Sequence, residues 1–376
     1  VDDVEVQVCL PADAPPPPPL EPCPWVGRAL RLPLVFRGAI LQRPATPPAA
    51  GLDAASVPAP AEIASPEPAE GGDASTFAAA LPEGLDVDLL AHDPARRRVY
   101  AAGGGQLVAL DGVTGRGLYA ASLPAGVGAL AVEGPTGRVW VSLPEAGAVW
   151  ALDTLGRPEV QVGGLGRPTG VACGEGVVYV ADSAGRRALA IDAATGALRA
   201  ERALDAAPYA LVHDPERRVA YVGLMGEGRV AALDSETLEP LGEVALGGMG
   251  FPQGLAVDPI AGRLYVAHAL APKYGALTAV DTATMTVVAT LRGDHRAPLV
   301  GARQVWARPG GERLYLATSA GLATIEGRDL SLDAVEPAVG GPAAYALDLA
   351  EGVVYAAAAG GVEARRLPPA GEGVVR

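Results

Sequence analysis

One lysine, no asparagine, three cysteines and three methionines occur among 376 residues. Arginine therefore carries almost all the positive charge, a skew expected of a GC-rich genome, and the scarcity of chemically labile side chains fits a thermophile. Charged residues make up only 19% of the chain, and the net charge of −14 comes without any Lys/Arg-rich run. That pattern excludes nucleic acid and an anionic membrane surface as partners, because both reward clustered positive charge. A basic or neutral protein partner is easier to accommodate. No segment approaches the run of roughly 18 apolar residues that a spanning helix requires. The patterns CxxC, HxxxH, HExxH and CxxCH are all missing, which leaves zinc, iron and covalent haem without a ligand set. Gly103-Gly104-Gly105 lacks the Gly-Lys-Ser/Thr and following helix of a phosphate loop, and reads as a strand connection. No cofactor is expected.

What the chain does contain divides sharply near residue 74. Residues 1–73 carry the five-proline run Pro15–Pro19 and a second Pro/Ala/Glu-rich stretch from Pro44 to Glu70. Proline removes backbone donors and fixes φ, so this is the composition of an extended arm or tether. Two strand-like pieces interrupt it, Val4–Val8 and Leu32–Phe36, each able to add to a sheet edge. Cys9 and Cys23 stand fourteen residues apart in the arm, close enough to close a small disulfide loop in an oxidising compartment. Cys173 lies in the apolar run Thr169–Cys173, as a small buried hydrophobe. The first residue is Val1, which points to a leader or anchor removed or lying outside the sequence, and so to export.

From residue 85 a repeat dominates. Its anchor is an aromatic inside a short apolar run: Tyr100, Trp140, Tyr179, Tyr221, Tyr265, Tyr315 and Tyr355, at gaps of 40, 39, 42, 44, 50 and 40. An aspartate closes a later apolar run in five repeats: Asp111, Asp153, Asp192, Asp234 and Asp281. In the fifth repeat the pattern reads as strands Gly254–Val257, Arg263–Ala267, Leu277–Val280 and Thr286–Leu291, separated by turn residues. Four short strands about every 40 residues, without helices, describe the blade of a β-propeller. The expected fold is all-β: a seven-bladed propeller over 74–367, with a tail at 368–376.

Closure supplies an internal check. The seventh repeat has three strands and then runs into Pro368-Pro369, while Thr76-Phe77-Ala78-Ala79-Ala80-Leu81-Pro82 nearly repeats Leu118-Tyr119-Ala120-Ala121-Ser122-Leu123-Pro124, the outer strand of repeat one. An orphan outer strand before the first repeat and a missing one after the last predict that the two ends share one blade, hiding sheet edges.

The fifth-repeat motif Pro252-Gln253-Gly254-Leu255-Ala256-Val257-Asp258, through Gly262-Arg263-Leu264-Tyr265-Val266-Ala267, to Ala279-Val280-Asp281-Thr282-Ala283-Thr284, resembles the YVTN family of surface-associated β-propellers. The third repeat, with Pro168-Thr169-Gly170-Val171-Ala172 and Val178-Tyr179-Val180-Ala181-Asp182, is similar to the related NHL repeat. The resemblance spans the propeller and implies scaffolds, ligand binders and occasional lyases or lactonases.

Candidate functional residues are sought where loops entering the innermost strands and loops between the second and third strands converge. The largest insertions fall there in repeat five: Ala267–Gly275, with His268, Lys273 and Tyr274, and Arg292–Arg303, with Asp294, His295 and Arg296. These six residues are the candidate ligand or partner surface; no catalytic residue is assigned. His92 and His213 occupy equivalent first turns, expected on the opposite face, and are explained by the repeat rather than by metal binding. The seven blade aromatics are expected in the core. Calcium-dependent lactonase chemistry is disfavoured by the lack of asparagine. The leading reading is a non-enzymatic extracytoplasmic scaffold that binds a protein partner through the arm and one propeller face, as an accessory subunit of a cell-envelope complex. The alternative is an enzyme of lyase or lactonase type acting on a small molecule at the repeat-five loops.

Overall fold

The computed structural model describes residues 77–82, 85–247, 250–269, 275–293, 299–337, 344–358 and 360–367. The proline-rich arm, its two strand-like pieces, and Cys9 and Cys23 lie outside the described residues.

Seven four-stranded antiparallel sheets make up the described structure, and in six of them each strand pairs with the next in sequence. Leu89–Asp93, Arg98–Gly103, Gln106–Asp111 and Gly117–Ser122 form blade one. Blade three comprises Pro168–Cys173, Val177–Asp182, Arg187–Asp192 and Leu198–Ala203, and blade five Pro252–Asp258, Arg263–Ala269, Gly275–Asp281 and Thr286–Arg292. Blades two, four and six are built alike within 129–162, 208–245 and 304–337. Among the described residues the only helical element is the 3-10 turn Pro144–Ala146. Blade seven takes Tyr345–Asp348, Val353–Ala358 and Gly361–Arg366 from the end of the chain and Phe77–Ala80 from before blade one. Phe77 pairs with Ala364 and Ala79 with Val362, so the ring is closed as the repeated segment requires.

Both faces of the second and third strands are buried in blades one to six, which explains the near-continuous apolar runs. Alternate residues point to opposite neighbours, so the core consists of layers between blades. Tyr100, Leu107 and Ala109 of blade one pack on Val141, Trp150 and Leu152 of blade two. Across the closing seam, Val99, Ala101 and Val108 pack on Val353, Tyr355 and Val362. All seven anchor aromatics are buried in these layers, each worth roughly 1.5–3 kcal/mol of transfer free energy. The repeated aspartates serve the turns. Asp111 Oδ1 accepts the N–H groups of Val113 and Thr114 at 3.0 and 2.8 Å, and Asp281 does the same for Ala283 and Thr284. Blades six and seven, which lack this aspartate, end the third strand on Glu326 and Arg366.

In blades one to six the outermost pair slips register by one residue beside that turn. A bulge bends an edge strand and discourages edge-to-edge pairing.

Polar latches tie blade to blade. Tyr355 Oη donates to Gly112 O at 3.0 Å across the seam, and Tyr179 Oη donates to Ser235 O at 2.8 Å between blades three and four. Arg98 Nη1 reaches Thr154 O at 2.6 Å and Arg138 Nη1 reaches Ala193 O at 3.1 Å. In each case the acceptor follows the third-strand aspartate of the next blade. The buried Tyr119 hydroxyl, by contrast, has no partner. Tyr355→Phe strands a buried carbonyl and should cost about 1–2 kcal/mol, whereas Tyr119→Phe removes an unsatisfied group and should be neutral or stabilising. Urea denaturation of the two variants checks this; equal losses would show that the seam latch carries no special weight.

Candidate functional site

The structure brings only one of the six sequence-level candidates into view. His268 is not a loop residue. It extends the second strand of blade five, pairs with Pro252 and Ala276, and has 0% exposure. Neither ring nitrogen has a hydrogen-bond partner, and burial pushes its pKa from the ordinary 6.5 down to about 4. It is therefore neutral at pH 7 and, as placed, out of reach of any ligand. Lys273, Tyr274, Asp294, His295 and Arg296 lie outside the described residues.

The register shows what belongs at the His268 position. Asp182 pairs with Pro168 in blade three and Leu224 with Pro208 in blade four, as His268 pairs with Pro252. Leucine there fills space. Asp182 organises loops: its carboxylate accepts the N–H groups of Gly166 and Arg167 at 3.0 and 2.7 Å, that of Gly185 at 3.2 Å, and Arg187 Nε at 2.9 Å. Burial alone would raise its pKa, but these donors outweigh it and hold the carboxyl below the usual range.

The loops fixed by Asp182 border a concavity on the face where loops between blades meet loops between second and third strands. Val127, Pro144, Glu145, Arg167, Tyr209 and Met225 surround a space of about 480 Å³. It shares Gly128, Thr169 and Tyr209 with the central channel, about 300 Å³, whose wall also includes Asp88, Gln253 and Gln304. Two glycines permit this shape. A Cβ on Gly170 would lie 2.4 Å from Tyr209 O, so the inner strands of blades three and four approach closely only because this position has no side chain; one on Gly128, just before the inner strand of blade two, would lie 2.5 Å from Pro144 Cγ in that blade's next loop. Thr169 Oγ1 secures the approach by donating to Tyr209 O at 3.2 Å. At the rim, Arg167 and Glu145 form an exposed ion pair at 3.0 Å.

An open concavity with a tyrosine, a methionine and aliphatic walls, bordered by charge, suits the side chains of a protein surface. Sequence reasoning missed it because it sought charged insertions, whereas these residues sit in loops of ordinary length. The usable signal was Gly170 in an inner strand and Gly128 at the entry to another, where a side chain would otherwise be expected. On the opposite face, His92 and His213 lie in the first strands of blades one and four, where they pack on tyrosines of the preceding blades. Among the described residues no group of three or more His, Cys, Asp or Glu is placed to hold a metal ion, and no helix is long and apolar enough to cross a membrane.

Fold and site together define a closed seven-bladed β-propeller with a shaped loop face. Residues 61–223 match the PQQ_2 family model, described as outer membrane protein assembly factor BamB, a span that runs from before the closing strand into the second strand of blade four. No curated protein matches. Solved structures similar in fold include the RRP9 WD40 repeats, at 12% identity, TM-score 0.67, covering 83% of this chain and 100% of that one. A chain of Kuenenia stuttgartiensis hydrazine synthase is similar at 16% identity, TM-score 0.67, with coverage of 76% and 97%. The Neurospora crassa Pan2 WD40 domain is similar at 13% identity, TM-score 0.62, with coverage of 80% and 98%. At these identities the likeness is one of fold.

Proposed function

We propose that this chain is a non-enzymatic, extracytoplasmic propeller scaffold that docks a protein partner on the loop face of blades two to four, as an accessory subunit of a cell-envelope complex. The observation that carries this reading is the preorganised concavity around Tyr209 and Met225, joined to the channel mouth and held by the Asp182 hydrogen bonds. Loops already fixed lose little conformational freedom on binding, so more of the contact energy appears as affinity. The match to a family described by an outer-membrane assembly factor supports the envelope setting. The YVTN and NHL likeness of the repeats agrees with a surface-associated propeller.

In this reading residues 1–73 are the tether, 74–367 the disc and 368–376 a tail. Lys273, Tyr274, Asp294, His295 and Arg296 stay in the proposal as partner contacts contributed by the blade-five insertions. The lyase or lactonase alternative loses support at His268, whose imidazole has no exposed surface.

Tyr209→Arg and Met225→Arg, made together, place two cations in the concavity. In affinity capture from envelope extracts, the double variant should retain at least about tenfold less partner than the parent chain. Asp329→Ala, on an exposed turn of the opposite face, should capture as the parent does. Equal capture by the double variant and the parent would overturn docking at this face.

A further inference from the structure

The turn between first and second strands has the same length in six of the seven blades. Seven steps separate Asp93 from Tyr100, Glu133 from Trp140, Asp214 from Tyr221, Asp258 from Tyr265, Arg308 from Tyr315 and Asp348 from Tyr355. Blade three departs from the rule: Gly174 stands five steps before Tyr179. The equivalence is fixed by register, since Cys173 pairs with Val178 as Leu347 pairs with Val354. Blade three therefore lacks two turn residues, and a glycine replaces the carboxylate. The shortened turn closes tightly, with Gly174 N–H donating to Val177 O at 2.8 Å.

Beside this turn lies a groove of about 360 Å³ between blades three and four, on the face opposite the proposed docking concavity. His213 of blade four lies in it, stacked on Tyr179 of blade three with ring centroids 5.0 Å apart and planes at 28°. Val177 and Ala190 provide apolar wall, and Glu175, Arg199, Arg218 and Glu236 border it.

The molecule contains its own reference for this place. At the closing seam His92 holds the position of His213 and packs on Tyr355 of the preceding blade, with centroids 5.2 Å apart. There the full-length turn of blade seven brings Asp348 Oδ2 to 3.7 Å from His92 Nε2, and Glu351 to 3.6 Å from Arg97. Arg97 and Arg218 are counterparts, each three residues before the blade aromatic and each at positive φ. One imidazole thus has a carboxylate supplied by the neighbouring turn. The other, His213, has Gly174 at that position and an open groove beside it.

We propose that the groove between blades three and four is a carboxylate-binding site, where the carboxylate of a ligand stands beside His213 as Asp348 stands beside His92. Arg199 and Arg218 border the groove and pair with Asp192 and Glu236. The Arg218–Glu236 pair is exposed and weak, whereas Arg199 holds Asp192 Oδ2 through both Nε and Nη2; a guanidinium has five donors, so both arginines keep donors for an added anion. Burial lowers the proton affinity of His213, while Asp214 and Glu175 act to raise it; an incoming carboxylate adds to the second effect. Glu175 and Glu236 penalise dianions, so the site selects a monocarboxylate with an apolar or aromatic body, either a small acid or a Glu side chain on a partner.

The test titrates the full chain with sodium benzoate, with a short peptide carrying one Glu between apolar residues, and with benzyl alcohol as the uncharged control. The His213 Cε1–H resonance, assigned with His213→Phe, is followed by NMR. Benzoate or the peptide should give a saturable shift at roughly millimolar concentration and raise the His213 titration midpoint. Benzyl alcohol should not. A response to benzoate alone identifies a small-acid site, and a response to the peptide alone a protein side chain. Gly174→Asp restores a carboxylate beside the ring; its Cβ would sit 3.0 Å from His213 Nδ1 and 3.1 Å from Tyr179 Cε2, so the stacked rings must give by a few tenths of an ångström. It should weaken binding at least about tenfold, as should Arg199→Gln on the exposed outer strand, whose melting curve should match the parent. The proposal is overturned if the carboxylates and benzyl alcohol act alike, or if both variants bind as the parent does.

Discussion

Replacing His268 with leucine should leave the protein as stable as the parent at pH 7.5 and distinctly more stable at pH 4. The imidazole is fully buried, without a hydrogen-bond partner, and keeps its proton off down to about 4. In the unfolded chain it takes up a proton near 6.5. Between those values the unfolded state binds more protons than the folded one, so stability rises with pH. The stability associated with the neutral ring is complete above about pH 6.5 and is lost as the pH falls toward 4, by about 3 kcal/mol. Leucine is the residue found at the equivalent position as Leu224; it fills similar space and cannot titrate. Urea denaturation across pH 4–8 measures the difference. Parallel pH profiles for parent and His268→Leu would show that the ring is not enclosed in the folded state.

Ala79→Asp should be severely destabilising, whereas Ala78→Asp, one residue away, should not. The closing strand has Ala79 turned inward at 4% exposure and Ala78 outward. Ala79 lies in the layer between blades seven and one beside Val362, Tyr355 and Val99. A carboxylate there has no partner and would have to be buried or would expel the strand, at a cost of about 3 kcal/mol or more. Expulsion also leaves Gly361–Arg366 as an unpaired edge, which invites aggregation. At Ala78 the same side chain reaches solvent, and the change should stay within about 0.5 kcal/mol. Denaturation midpoints, with hydrogen exchange at Val362 and Ala364, report both effects. Equal behaviour of the two variants would show that the ring does not depend on this strand.

These contrasts mark what the sequence can disclose. The repeat period, the aromatic of each second strand, and the similarity of 76–82 to 118–124 specified seven blades and their closure, because blade formation depends on local alternation and turn residues. The strands of blade five were read too short. His268, a polar residue closing an apolar run, looked like the start of a loop, yet the strand continues to Ala269 because Ala276 and Gly275 are there to pair with it. Its burial depends on the blade packed beside it, which no local window contains.

By itself, then, the sequence determined the architecture: an all-β ring whose first six repeats each supply four strands and whose seventh supplies three, completed by the strand just before the first repeat. Tertiary structure alone decided which polar residues are enclosed and which are accessible. His92 and His213 occur in nearly identical stretches of sequence, Ala91-His92-Asp93-Pro94 and Val212-His213-Asp214-Pro215. One meets Asp348 across the closing seam, and the other borders a groove beside Gly174. That difference comes from the neighbouring blade's turn. Such pairings are set by ring closure and blade-to-blade packing, which place the turn of one repeat against the strand of another.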